Sequence, residues 1–281
     1  MTAIANWINK ESTDYHSIWS IGDSKVTDKN SGTTLTLENS KVFENPISVI
    51  DLSSHPEKRF KYFNHSIGFS YAGSTLIGLN CFATLSTMLL NLGGINGVIP
   101  DLKNISSLAS KVIDYYSKSI SNLYNPFEAI IYGYCHFNKR LERYSISKKE
   151  INGELFYVPD NISEETIFLL GDKKTEILEQ INNNQKLILD KNSQDYWRSP
   201  LKTLSNITTS NLYESIGGGT QLNIANQFGC NPYQAVGERE DSSMKFRNID
   251  IDLDIGSQLG DSLVRISIPG LYYNFKNEKK N

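Results

Sequence analysis

Met1-Thr2-Ala3-Ile4-Ala5 opens the chain and places a threonine directly ahead of an apolar, strand-like segment. If Met1 is removed, Thr2 carries both a hydroxyl nucleophile and a free α-amine. The ordinary pKa of that amine, about 7.7 to 8.0, suits it as a proton acceptor near neutral pH. Such a residue attacks a carbonyl without the help of a histidine. A threonine at position two usually means only that a small residue is tolerated there, so the catalytic interpretation needs support from the rest of the chain.

The composition is typical of a soluble globular protein. The 281 residues include 39% hydrophobic and 21% charged residues, which is enough for a sizeable core in one large domain or two small ones. The formal net charge is −3, so there is no electrostatic reason to expect binding to nucleic acid or to an anionic membrane. We therefore expect neither as a partner.

Cysteine usage and the start of the chain favour a cytoplasmic location. Cys81, Cys135 and Cys230 are odd in number and widely spaced, so they predict neither a disulfide framework nor a zinc knuckle. No basic region followed by an apolar run marks a signal peptide. The uncharged stretch from Ile67 to Pro100 is long enough to span a bilayer, but polar side chains dilute it and glycines break it. We expect a buried strand and a buried helix there.

Hydrophobic periodicity predicts strands and helices in alternating groups. Residues 3–8 and 17–22 alternate as in a hairpin, and the apolar run Ala129 to Tyr134 is typical of a strand covered on both faces. The polar residues 50–64 predict a loop. The order of elements predicts an α+β fold in which sheets pack between helices. Further strands are expected at 33–37, 41–43, 67–71, 141–146, 155–158, 166–170, 220–225 and 262–268, and helices after Ser74 and from Asn104, Lys173 and Ser199-Pro200.

Three residues distant from Thr2 in sequence complete a candidate catalytic set. Asp23 follows the second predicted strand and Lys41 begins a later one; taken singly, these are ordinary positions for a turn aspartate and a solvated lysine. Beside Thr2, however, a buried Lys41 ammonium would favour the alkoxide, and Asp23 would keep that ammonium charged and oriented. Gly73 lies at a strand-to-helix turn, where its backbone N–H is suited to hold an oxyanion.

With these residues the chain resembles the proteasome β-type, bacterial proteasome-related family of N-terminal-nucleophile hydrolases. The match covers roughly residues 2–225, and the combination is far more specific than any single motif. The residues that carry it are Thr2, Asp23 in Gly22-Asp23-Ser24-Lys25, Lys41 in Lys41-Val42-Phe43, and Gly73 in Ala72-Gly73.

The resemblance implies a fold, an activity and an assembly. It implies a four-layer αββα sandwich over residues 1–229. Residues 230–281 have no counterpart in the family pattern, and we expect them to form a C-terminal extension on the same domain that ends in a frayed basic tail. It implies a threonine peptidase that acts on peptides or unfolded proteins, needs no metal or cofactor, and assembles into homo-oligomeric rings or related assemblies. Whether an ATP-dependent unfoldase is a partner stays open.

Two supporting positions depart from the family pattern. Where the family has a serine in a turn after a strand, this chain has Asp172. Near the last core helix, Glu214 and Gly217 stand where the family often has an aspartate and a serine. We include Asp172 and Glu214 among the candidate catalytic residues, with Glu214 as a carboxylate that orients the Thr2 amine.

The same departures leave open a catalytically silent assembly subunit. An amidase that acts on a small molecule also stays open, because the sequence does not locate the pocket walls that select a substrate. Other candidate sites are weaker. Cys135 and His136 are neighbours on a predicted strand and should point to opposite faces. The triplet Gly217 to Gly219 lacks the Lys-Ser/Thr of a phosphate loop. The acids Asp250, Asp252, Asp254 and Asp261 imitate a calcium loop but lack its glycine, because Ile255 stands there.

Overall fold

The computed structural model describes residues 2–28, 31–53, 59–120, 127–237, 245–246, 249–251, 254, 256 and 266–273. The helices are α1 (Thr75–Leu89), α2 (Leu102–Ser119), α3 (Lys174–Lys186), α4 (Gln194–Trp197) and α5 (Ser199–Ser210). The strands are β1 (Ala3–Asn9), β2 (Ser17–Asp23), β3 (Val26–Thr27), β4 (Thr34–Thr36), β5 (Val42–Asp51), β6 (Lys61–Gly73), β7 (Leu92–Gly94), β8 (Phe127–Cys135), β9 (Arg140–Ile151), β10 (Glu154–Asn161), β11 (Phe168–Gly171), β12 (Thr220–Asn226), β13 (Gly229–Gly237), β14 (Lys245–Phe246), β15 (Ile249–Asp250) and β16 (Gly270–Tyr273).

The fold is mixed α+β, with more strand than helix, and contains two six-stranded sheets. Sheet I has the strand order β11-β1-β2-β12-β13-β16, and sheet II has the order β10-β9-β8-β6-β5-β7. Neighbouring strands are antiparallel except at the β13–β16 and β5–β7 pairs, which are parallel. Helices α1 and α2 pack against sheet II, whereas α3 and α5 pack against sheet I.

Strand β1 is buried along its whole length, because apolar side chains alternate toward two different cores. Ala3, Ala5 and Trp7 lie in a cluster shared with α3 and α5. Ile4 and Ile8 point the other way, into a second cluster that includes Ile130 and Tyr132 of sheet II. A strand whose two faces are both apolar must be covered on both sides. The residue just ahead of β1, Thr2, is therefore fixed from both directions.

Several sequence predictions agree with these elements. The opening hairpin forms, with Trp7 opposite Trp19. The apolar run after residue 128 is β8, buried on both faces as expected. Ser74 caps α1, its hydroxyl accepting from the N–H of Ile77 at 3.4 Å. None of the helices in the described ranges combines the length and apolar character needed to cross a bilayer.

Other boundaries were predicted wrongly. Residues 50–64 were expected to form a loop, but β5 continues to Asp51 and β6 already begins at Lys61. The cause is tertiary pairing, because β5 and β6 form a long antiparallel ladder that extends through polar residues. Helix α2 is capped by Asp101 and begins before Asn104.

Predictions about the C-terminal region are tested only in part. Of the strand expected at 262–268, only residues 266–268 are described; they are irregular, and β16 follows at Gly270. Residues 262–265, Asp252, Asp261 and the basic tail lie outside the described residues, as does Met1.

One contact between the ends of two strands was not anticipated. His136 follows β8 in a turn, so it does not share a strand with Cys135 as expected. Its Nε2 lies 3.3 Å from Nδ1 of His65 on β6, and the two rings are perpendicular. Burial, together with the charge of the neighbouring His136 and against a hydrogen bond with the Tyr134 backbone, lowers the pKa of His65 to about 4.

We expect acid to destabilise the fold through His65. The folded-state pKa of His65 is about 4 and its ordinary value is 6.5, so the unfolded chain takes up the proton first. The stabilisation is complete above pH 6.5 and is lost as the pH falls toward 4. Urea unfolding over this range should show that His65→Gln removes about 2 kcal/mol of the decline. His16→Gln, at an exposed site, is the control; equal pH slopes in His65→Gln and wild type would contradict the prediction.

Candidate active site

Thr2 lies at one end of sheet I, immediately before the interior strand β1, and is 3% exposed. Its carbonyl oxygen accepts a hydrogen bond of 2.7 Å from the backbone N–H of Asp172. Asp172 follows β11, which pairs with β1 so that Ala3 lies opposite Gly171. The turn after β11 thus holds the main chain of Thr2.

Gly171 is the closest neighbour of Thr2 in this turn. A Cβ atom there would lie 1.9 Å from the Thr2 carbonyl oxygen and 3.2 Å from Cβ of Ala72. The φ angle of Gly171 is +88°, a region that favours glycine. Both the close approach and the backbone conformation therefore require glycine, and the Ala72 contact shows that the end of β6 lies beside Thr2.

The Asp23 carboxylate is the centre of the site. It ends β2, is fully buried, and accepts four N–H bonds. Oδ1 accepts from the backbone N–H of Ala3 and from Nζ of Lys41, both at 3.0 Å. Oδ2 accepts from the backbone N–H groups of Lys25, at 3.2 Å, and Gly217, at 3.3 Å. A single carboxylate oxygen therefore bridges the Lys41 ammonium and the peptide nitrogen that follows Thr2.

Lys41 is 1% exposed and is held from both sheets. Nζ also donates to the carbonyl oxygen of Lys25 at 2.6 Å. The Lys41 backbone N–H donates to Oε1 of Gln221, on β12 of sheet I, at 2.9 Å, and its carbonyl accepts from Tyr71 of sheet II at 3.1 Å. The ammonium consequently has a fixed position where the two sheets meet.

The electrostatic surroundings of Lys41 act in opposite directions. Burial lowers the pKa of the ammonium from its ordinary value, because a charge is poorly solvated in the interior. The charge and hydrogen bond of Asp23 raise it, and the charge of Asp172 raises it by a smaller amount. The Asp23 carboxylate therefore stabilises the Lys41 ammonium at a buried position where water does not solvate it.

Two further expected site residues lie close to this cluster. Asp172 joins it through its N–H bond to Thr2 and through its charge near Lys41. Gly73 is the last residue of β6, has a φ of +112°, and directly precedes the cap of α1. Its neighbour Ala72 lies near Thr2, so the Gly73 peptide is at the same end of sheet II.

Glu214 is placed differently. Its side chain is exposed, and none of the contacts recorded for the described residues connects it to Asp23, Lys41 or Thr2. The segment that follows it reaches the cluster through main-chain groups, because Gly217 donates to Asp23 and its carbonyl accepts from the N–H groups of Ser24 and Lys25. Its role as a carboxylate that orients the amine stays a prediction.

The sequence reasoning missed the supporting contacts around Asp23. Oγ of Ser24 accepts from Gly219 N–H at 2.6 Å and donates to the carbonyl oxygen of Leu37. A Cβ at Gly218 would lie 2.4 Å from that same Oγ. The available signal was the glycine triplet itself, because it forms a loop packed tightly on the Asp23 turn.

The number of donors to Asp23 predicts unequal costs for removing the two charges. Lys41→Met leaves Asp23 with three backbone donors, and we expect a loss of about 1–3 kcal/mol in the free energy of unfolding. Asp23→Ala leaves a buried cation and three unpaired N–H groups, and we expect about 3–5 kcal/mol. Lys202→Met, which breaks a partly exposed pair with Asp195, should cost less than about 1 kcal/mol. Denaturant unfolding measures all three; a larger loss in Lys41→Met than in Asp23→Ala would contradict this account.

Comparison with solved structures identifies related folds. The chain is similar to Anbu from Pseudomonas aeruginosa, solved as a helical assembly of the Anbu complex (TM-score 0.55, 14% identity, 86% of this chain and 88% of that chain). It is also similar to Anbu, the ancestral beta-subunit, from Yersinia bercovieri (0.52, 12%, 80% and 82%). A Gly-1 mutant of Anbu from Hyphomicrobium sp. strain MC1 is a third match (0.52, 11%, 82% and 85%).

These matches correct the family inferred from the motifs. No family model and no curated protein matches the chain. The similar structures are Anbu proteins, which are proteasome-like but form a distinct family, so the assignment to the proteasome β-type family was wrong. At 11–14% identity the likeness establishes the fold alone. The chain therefore shares its fold with the Anbu proteins.

Proposed function

We propose that the protein is a threonine-type amide hydrolase, specifically a peptidase, that uses Thr2 after removal of Met1. Thr2 Oγ1 is the nucleophile, and the freed Thr2 amine is the proton acceptor. Lys41 stabilises the alkoxide and Asp23 orients Lys41. Gly73 N–H donates to the oxyanion, and Asp172 supports Lys41 from the other side. No metal or cofactor takes part in this scheme.

The reaction proceeds in two halves. Thr2 Oγ1 forms a bond to the carbonyl carbon of the substrate while its proton moves to the Thr2 amine, and the carbonyl oxygen becomes an oxyanion held by Gly73. The C–N bond breaks as the leaving amine of the substrate takes this proton from the Thr2 ammonium, and an ester remains on Thr2. Water then attacks the ester, with the amine again as proton acceptor, and releases the acid.

One observation carries the proposal: Oδ1 of Asp23 accepts from both Lys41 Nζ and Ala3 N–H at 3.0 Å. A buried cation is thus one carboxylate atom away from the residue that follows Thr2. Retaining a buried ammonium costs stability unless it is well paired. Its position beside Thr2 supports a chemical use for the charge.

We further propose the four-layer αββα arrangement and the domain division expected from the sequence. Three separate hydrophobic clusters support the layers: one between α1, α2 and sheet II, one between α3, α5 and sheet I, and one between the sheets. Residues 1–229 form the hydrolase domain in this proposal. Residues 230–281 are an extension on the same domain, which the pairing of β13 with β12 and β16 supports.

Homo-oligomerisation in the cytoplasm is part of the same proposal. An Anbu protein of the same fold was solved as a helical assembly, and a chain that shelters its sites in an assembly would select peptides or unfolded proteins. Three buried free cysteines suit a reducing compartment.

A catalytically silent assembly subunit is the second candidate. Gly217 supplies only a backbone N–H to Asp23, and Glu214 is exposed away from the cluster. A site with few hydroxyl groups has fewer groups to relay a proton. The two candidates differ in whether Thr2 becomes a free, reactive residue.

We expect intact mass spectrometry to show the loss of Met1 and one adduct with a threonine-directed electrophile. Thr2→Ala should abolish the adduct, and Lys41→Met should slow its formation by on the order of 10²-fold. Thr33→Ala, at an exposed site, should react like wild type. Retention of Met1, or an adduct that survives in Thr2→Ala, would contradict the hydrolase proposal and favour the silent subunit.

A further inference from the structure

Glu128 is a carboxylate close to the candidate site that no catalytic motif includes. It is the second residue of β8 and pairs with Ala72 at the end of β6. Its Oε2 accepts from the backbone N–H of Gly171 at 3.2 Å, and both carboxylate oxygens lie 2.7 Å from Nζ of Lys174. The carboxylate therefore connects sheet II to the turn between β11 and α3.

That turn is held from two sides through successive peptide groups. The N–H of Gly171 donates to Glu128, and the N–H of the next residue, Asp172, donates to the Thr2 carbonyl at 2.7 Å. The two peptide groups share the Cα atom of Gly171, so both hydrogen bonds restrain the same residue. The Glu128 carboxylate is thus connected to the main chain of Thr2 through two consecutive residues, Gly171 and Asp172.

The charges around Glu128 suit a carboxylate that stays in place. Lys174 is the first residue of α3, where a positive side chain is unfavourable to the helix dipole but a carboxylate is favourable. The Glu128–Lys174 pair is partly exposed, with side-chain exposures of 31% and 40%, and such pairs add little stability. Its significance is geometric, because Lys174, at the N-terminal end of α3, holds the Glu128 carboxylate in the position where it accepts from the N–H of Gly171.

We propose that Glu128 is a positioning residue, which fixes the Gly171–Asp172 turn and thereby the location of Thr2 relative to Lys41. The inference rests on the hydrolase function proposed above only for its chemical consequence. A displaced Thr2 amine has a different distance from the Lys41 cation and from the Asp23 and Asp172 carboxylates, so its proton affinity and its rate of reaction at neutral pH change. The effect on the turn itself does not depend on any activity.

The test compares four variants of the full chain. Glu128→Ala removes the acceptor, whereas Glu128→Gln keeps an oxygen for Gly171 N–H without the charge. Lys174→Met removes only the ion pair. Glu176→Gln is the matched control, because it breaks the exposed Lys173–Glu176 pair on the same helix.

Two measurements decide the outcome. In Glu128→Ala, hydrogen exchange at the Asp172 amide should accelerate about tenfold, with global stability checked by urea unfolding. The midpoint of the pH–rate profile for the Thr2 adduct should move by about half a pH unit or more. Glu128→Gln should restore most of the exchange protection, Lys174→Met should change it less than Glu128→Ala, and Glu176→Gln should match wild type.

Failure of the positioning role of Glu128 can be distinguished from failure of the hydrolase proposal. Unchanged exchange at Asp172 in Glu128→Ala, or an equal acceleration at every amide, overturns the positioning role. So does an unshifted pH profile in a variant that forms the adduct. If wild-type Thr2 forms no adduct, the hydrolase proposal fails, and the Asp172 exchange rates still decide whether Glu128 holds the turn.

Discussion

The buried ion pair between Lys41 and Asp23 is the constraint on which the site depends. Removing two charges from water costs several kcal/mol for each ion, and their attraction offsets this only when the remaining hydrogen-bonding capacity is also used. Asp23 meets that condition with three backbone donors in addition to the ammonium. Those donors come from β1, from the turn after β2 and from the glycine loop, so the pair forms only when all three segments are in place.

This requirement joins the two sheets at one end. Lys41 directly precedes β5 of sheet II, yet its charge partner ends β2 in sheet I. Gln221 of β12 accepts from the N–H groups of Lys41 and Val42. A slip of β5 by one residue would turn Lys41 out of the interior and leave Asp23 unpaired. The same polar contacts that arrange the candidate site therefore also set the register between the two sheets.

Local sequence patterns predicted the elements whose conformation follows from their own residues. They failed for elements whose conformation is decided by contacts with residues distant in sequence. Strand β8 is apolar on both faces and Ser74 is a helix cap, so each is recognisable from its own few residues. By contrast, the start of β6 is polar and is strand only because β5 lies beside it. The His65–His136 contact spans 71 residues and the Glu128–Gly171 bond spans 43. No short-range pattern in the sequence predicts either contact.

The structure brings Asp23 and Lys41 together beside the residue that follows Thr2, whereas the family inferred from the same residues was wrong, and the reason is physical. Thr2, Asp23, Lys41 and Gly73 are few residues, each fixed by a local requirement: a strand start, a buried charge, its partner, or a turn with positive φ. Any sequence that builds the same two sheets can meet these requirements, while the rest of the chain varies freely. An identity of 11–14% to structures of the same fold is what such freedom produces. A set of site residues therefore specifies a local geometry, and the family must be decided by the other residues.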